Sequence, residues 1–126
     1  MKDVLVDTSI WVDHFRHHND ALVHLLEQDR VLTHPLIIGE IACGTPPNRR
    51  ETLSDLACLR ESQQATIQET MALLENKRLY GLGCGLVDML LLASTLLTRG
   101  AELWTLDKRL ETLAKREGVK HQPVVL

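Results

Sequence analysis

The sequence predicts an α/β protein, a three-layer α/β/α sandwich around a central parallel sheet. Three observations carry that reading. Short apolar runs at Val4–Val6, Val31–Thr33 and Leu103–Thr105 have the length and unbroken hydrophobicity of strands buried on both faces. Amphipathic helical patterns lie between them, and strands alternating with helices imply a parallel sheet covered on both sides. Finally, Asp7 and Asp107 stand just past two of the runs, where helices should begin.

Taken in order, Val4–Val6 leads into a helix from about Thr8 to Arg16. A second helix follows His17–Asn19, with Asp20 in its first turn and Ala21, Leu22, Leu25 and Leu26 on one face. After the strand Val31–Thr33, Pro35 suits the first turn of a helix carrying Ile37, Ile38, Glu40 and Ile41. Gly44-Thr45-Pro46-Pro47-Asn48 breaks that helix. Amphipathic helices are expected near Arg49–Arg60 and Thr66–Leu79. Leu86–Thr98 is apolar nearly all round, as in a central buried helix or one facing a partner subunit. Leu103–Thr105 is followed by a helix at Lys108–Arg116, and Pro123–Leu126 reads as an edge strand.

Composition sets the outer bounds. The 126 residues fit a single domain, 1–126, large enough to bury a core. A net charge of −3 means that nucleic acid is not held by bulk attraction; it would need local basic clusters or a bridging metal. No apolar run approaches the roughly 20 residues that span a bilayer, and MKDVLVD reaches acid too early for a secretory leader, so no membrane association is expected. Cys43, Cys58 and Cys84 form no CxxC pair and read as small buried residues in a reducing cytoplasm.

Four acids dominate the functional reading: Asp7 in VLVDTS, Glu40 in PLIIGEIACG, Asp88 in GLVDMLLLAS and Asp107 in ELWTLDKRL. Each sits in apolar sequence, and a buried carboxylate requires a partner, a proton or a cation. Singly, Asp7 and Asp107 also suit helix N-caps, and Asp88 the first turn of its helix. Glu40 has little polar face to occupy among Ile37, Ile38, Ile41 and Ala42. As a set, gathered at the carboxyl ends of parallel strands where sites form, they suit a hard divalent cation, Mg²⁺ or Mn²⁺. Ser9 and Thr105, two residues from Asp7 and Asp107, can orient a carboxylate or bond to backbone in a turn.

With these residues in view, the chain resembles the PIN-domain family, and within it the VapC-type toxins of bacterial toxin–antitoxin pairs. VLVDTSIWVD, the IIGEIACG helix, GLGCGLVDMLLLAS and LWTLDKRL carry the resemblance, which runs from about Val4 to Leu113. It implies a PIN-like α/β/α sandwich, a Mg²⁺- or Mn²⁺-dependent endoribonuclease, and neutralisation by a cognate antitoxin. Asp7, Glu40, Asp88 and Asp107 match the acidic quartet; Thr8, Ser9 and Thr105 match its polar companions. One departure is Cys84-Gly85 on the approach to Asp88, where relatives often carry an aromatic.

Other features are weaker. His14 and His18 have helical metal-pair spacing without a glutamate between them, and suit solvated surface or loose phosphate contact. Lys108-Arg109 beside Asp107 can meet an RNA backbone. Trp11 reads as core. Two other classes remain open: another acid-cluster phosphoesterase (a DNA nuclease or phosphatase), and a receiver-like signalling module. A phosphatase wants a D-x-D pair where Ser9 stands; a receiver wants adjacent acids and a late lysine that VLVDTS and QPVVL lack. The apolar Leu86–Thr98 helix suggests a homodimer, and apolar surface around Trp11 and Phe15 suits a helical antitoxin segment.

Overall fold

In the computed structural model, which describes residues 1–125, four parallel strands form one sheet in the order β3-β2-β1-β4. These are β1 (Asp3–Val6), β2 (Val31–Thr33), β3 (Arg60–Glu61) and β4 (Ala101–Trp104). Seven helices connect and cover them: α1 (Thr8–His17), α2 (Asp20–Glu27), α3 (Pro35–Ala42), α4 (Arg49–Ala57), α5 (Ile67–Lys77), α6 (Leu86–Leu97) and α7 (Lys108–Arg116). The arrangement is the expected α/β/α sandwich. No helix among the described residues is long and apolar enough to cross a membrane.

Strand β1 organises the sheet. Val4, Leu5 and Val6 are fully buried, because a central parallel strand has helices over both faces and no polar side to present. It pairs with β2 through Val4↔Val31 and Leu5↔Leu32, and with β4 from Asp3↔Ala101 to Val6↔Trp104. Asp7 therefore leaves the sheet level with the residue that follows Trp104. The backbone enforces this junction, since Asp7 N donates to Trp104 O at 2.9 Å.

Local signals set the helix starts. Asn19 accepts from Leu22 N at the head of α2. Pro35 opens α3, capped unusually by a histidine: His34 Nδ1 accepts from Leu36 N at 3.0 Å. Thr66 and Glu69 form a reciprocal capping box on α5. In α6 the middle is buried, from Met89 through Leu91 to Thr95, whereas Leu86, Val87, Leu96 and Leu97 near its two ends are exposed. Trp11 is in the core beside Phe15, with ring centroids 6.3 Å apart.

The structure corrects several expectations. The helix expected to reach Arg60 stops at Ala57, and Arg60–Glu61 pair with Leu32 and Thr33 as β3. Two exposed charged residues carry no strand pattern; backbone pairing to β2 decides their state. Residues 123–125 form no strand, and Leu126 lies outside the described residues. The chain adds to the sheet edge earlier, through a parallel bridge of Lys120 to Leu103. Cys43 and Cys58 are exposed and Cys84 only half-buried, against the expectation of burial.

Candidate active site

The four acids leave four different helix starts or helix bodies at the carboxyl edge of the sheet. Asp7 occupies the N-cap position of α1, yet its side chain caps nothing. Its Oδ2 instead accepts from Ser9 Oγ and Thr105 Oγ1, each at 2.8 Å. Those hydroxyls are fixed in turn: Leu106 N donates to Ser9 Oγ and Asp107 N to Thr105 Oγ1, both at 3.0 Å. Ser9 and Thr105 therefore do both things the sequence allowed, satisfying turn backbone and orienting a carboxylate. Among the described residues Oδ1 takes no hydrogen bond and could hold a cation.

Asp107 is a genuine N-cap, its Oδ1 accepting from Arg109 N at 2.9 Å and Leu110 N at 3.1 Å. Glu40 is held by Thr8, whose Oγ1 donates to Glu40 Oε1 at 2.8 Å across the gap between α1 and α3. Asp88 lies in the first turn of α6 and is half-buried. Only Asp7 is buried, at 7% exposure; Glu40 and Asp107 are exposed. The picture of four acids packed into the core is thus corrected to one buried carboxylate with three at the rim. For Glu40 the reason is helical phase: Ile37 and Ile41, four residues apart, take the inward stripe and turn Glu40 outward.

Electrostatics ties the four together. The carboxyl of Asp88 is pushed above the usual range, first by burial and then by the charges of Asp107, Asp7 and Glu40, while a hydrogen bond from the Gly85 backbone opposes them. The departure at Cys84 falls in the same place. Its thiol is pushed up by burial and by Asp88 and Asp107, with Arg109 acting in the other direction.

The donor set fits a hard divalent cation in kind, being all carboxylate and hydroxyl oxygen. Among the described residues no three His, Cys, Asp or Glu side chains stand close enough to form a finished metal cage. An open arrangement suits Mg²⁺, which keeps several waters and binds through one or two carboxylates.

A family model for the PIN domain matches residues 4–116. The chain belongs to the PIN-domain family. Ribonuclease VapC32 of Mycobacterium tuberculosis, in strains H37Rv and CDC 1551, is 43% identical over 116 residues, covering 92% of this chain and 94% of the relative. In this PIN domain Ser9 and Thr105 join Asp7 in one hydrogen-bonded cluster, and Thr8 and Glu40 form a separate pair. Lys108 and Arg109 are exposed beside Asp107.

Sequence reasoning missed how Arg109 is held. A Cβ added to Gly83 would lie 2.7 Å from Arg109 Cδ, so the arginine stem crosses that glycine, and its Nη1 donates to Gly83 O at 3.4 Å. The available signal was GLGCG, in which Gly83 also has φ of +91°. His14 and His18 lie apart from this centre, at the end of α1, where their rings are tilted at 44° with centroids 5.2 Å apart and His14 Nδ1 accepts from Asn19 N.

Proposed function

We propose that this chain is the toxin of a type II toxin–antitoxin pair, an endoribonuclease that hydrolyses RNA phosphodiester bonds at the Asp7–Glu40–Asp88–Asp107 centre. The observation that carries the reading is a buried carboxylate, Asp7, held at one oxygen by Ser9 and Thr105 within a PIN domain 43% identical to a ribonuclease.

Asp7 Oδ1 and Asp88 are the principal holders of a Mg²⁺ or Mn²⁺ ion, with Glu40 and Asp107 completing or adjusting the site. Such an ion supplies an acidified water and neutralises charge developing on phosphate. Ser9 and Thr105 hold Asp7 through Oδ2 and leave Oδ1 unengaged, and Thr8 steadies Glu40. Lys108 and Arg109 meet the negative backbone of the substrate.

The partner is a cognate antitoxin. A segment of it would lie against Trp11, Phe15, Leu26 and Leu56, which line a cleft of about 250 Å³. A neighbouring groove from Phe15 to Thr8 and Glu40 leads from that cleft to the acids. A homodimer through the exposed ends of α6 completes the assembly, and an RNA substrate puts the work of the protein in the cytoplasm.

The test is incubation of purified protein with RNA, single-stranded DNA and a phosphomonoester, each with Mg²⁺, Mn²⁺ or EDTA. RNA cleavage that needs the ion is expected. Cleavage of DNA or the monoester in preference to RNA would favour the other acid-cluster phosphoesterases, and cleavage persisting in EDTA would overturn the metal site.

A further inference from the structure

A groove of about 380 Å³ starts at Lys108 and Arg109 beside the acids and runs along α7. One wall is Leu82, 43% exposed, and the other is the stripe Lys108, Arg109, Thr112 and Arg116. These positions recur on one face of α7, while Leu110, Leu113 and Ala114 turn into the core. From Lys108 to Arg116 the helix rises about 12 Å.

Its cations are not taken up in ion pairs. Glu111, on α7, faces Lys120 at 3.6 Å, and Glu117, just beyond it, faces Lys77 at 4.0 Å. Lys108, Arg109 and Arg116 make no ion pair among the described residues. Thr112 gives its hydroxyl proton to Lys108 O at 2.8 Å, so the cations are the donors that face the groove. Arg116 is steadied by Lys77 O, to which its Nη2 donates at 3.2 Å. Arg109 is fixed by lying across Gly83, as described above, on the segment that leads to Cys84 and α6.

We propose that this groove seats a single RNA strand on one side of the bond to be cut, with Lys108, Arg109 and Arg116 on its phosphates and Leu82 against a ribose or base, and that Gly83 is a positioning residue acting through Arg109. The inference rests on the ribonuclease reading and adds the path of the substrate. A one-sided groove with an apolar wall fits a lone strand, whose sugars and bases are open to contact. In a protein of net charge −3, this local stripe supplies the attraction that the whole molecule lacks.

Fluorescence anisotropy with labelled oligouridylate in EDTA, across a series of KCl concentrations, tests it. Lys108→Gln and Arg116→Gln should each flatten the log Kd against log salt slope by about 0.7, the value for one single-strand phosphate contact. Arg50→Gln, an exposed cation on α4 outside the groove, should not change it. Gly83→Ala should weaken binding in the natural background and have no further effect with Arg109→Ala. An equal effect in both backgrounds would reduce Gly83 to backbone strain and overturn its role. Unchanged slopes for Lys108→Gln and Arg116→Gln, or duplex RNA bound as tightly as the single strand, would overturn the groove. Ion-dependent cleavage of the same oligonucleotide by the natural protein is measured alongside. Cleavage with unchanged slopes refutes the groove alone; absence of cleavage refutes the reading beneath it.

Discussion

Thr105 Oγ1 donates to Asp7 Oδ2 at 2.8 Å, although the two residues lie 98 positions apart in the chain. Ser9 Oγ donates to the same oxygen from within the first turn of α1. Asp7 is thereby held at one oxygen and open at the other. Asp7→Asn keeps the shape and removes the charge, so RNA cleavage should fall by orders of magnitude with the circular dichroism unchanged. Ser9→Ala should cost less, within the ~10–100-fold typical of a residue that orients a metal ligand. Initial rates in Mn²⁺ separate the two, and equal losses would mean that Ser9 does more than orient Asp7.

The raised carboxyl of Asp88 predicts a stability effect that needs no substrate. A raised acid means the folded state binds more protons than the unfolded chain in the affected range. Its contribution is present below the ordinary carboxylate range and is lost as pH rises through the folded value. Asp88→Asn should therefore raise the melting temperature at neutral pH in EDTA. The same change should flatten the stabilisation by Mg²⁺, which by mass action reaches about 2.7 kcal/mol at a hundredfold excess over its dissociation constant. Melts of both proteins with EDTA and with Mg²⁺ check it; a lowered melting temperature with an intact Mg²⁺ shift would make Asp88 structural.

His34 predicts the opposite slope. Burial lowers its imidazole below the ordinary range, opposed by Glu61 from β3. Because Nδ1 accepts from Leu36 N, the ring must stay neutral for the cap to hold. A lowered histidine contributes stability that is present above its unfolded value and lost as pH falls through the folded one. His34→Asn retains an N-cap acceptor without titrating. It should flatten the melting temperature against pH on the acid side of neutrality, and an unaltered profile would remove His34 from the account.

Leu96 and Leu97 stand exposed near the end of a helix whose middle is core. Sedimentation of the purified chain should give a dimer at micromolar concentration, and Leu97→Lys should shift it toward monomer. A natural protein that sediments as a monomer would leave the apolar ends of α6 without this explanation.

How much could be read from residues alone depended on where the deciding interactions lie. Val4–Val6 was readable because a buried parallel strand is apolar at every position, and Asp7 because it follows that strand directly. Arg60–Glu61 was not, since their state comes from β2 and their side chains are exposed. Of the acids, identity and order were legible but depth was not. Glu40 looked enclosed by isoleucines, and only the phase fixed by packing Ile37 and Ile41 turned it outward. The cysteines misled for a related reason: small apolar character does not bury Cys43 or Cys58 when the loop or helix end carrying them faces water. Arg109 across Gly83 is a through-space contact, with no trace in spacing beyond the glycines themselves.

The pairing of β1 with β4 also dictates when the enzyme can exist. On the ribosome Asp7 is made early, but the hydroxyl of Thr105 that holds it comes 98 residues later, after the strand beside it. Until β4 has emerged, β1 has only one neighbour and Asp7 lacks one of its two hydroxyl donors. A partly synthesised chain therefore lacks the assembled Asp7 site, whose completion waits on the order of the strands.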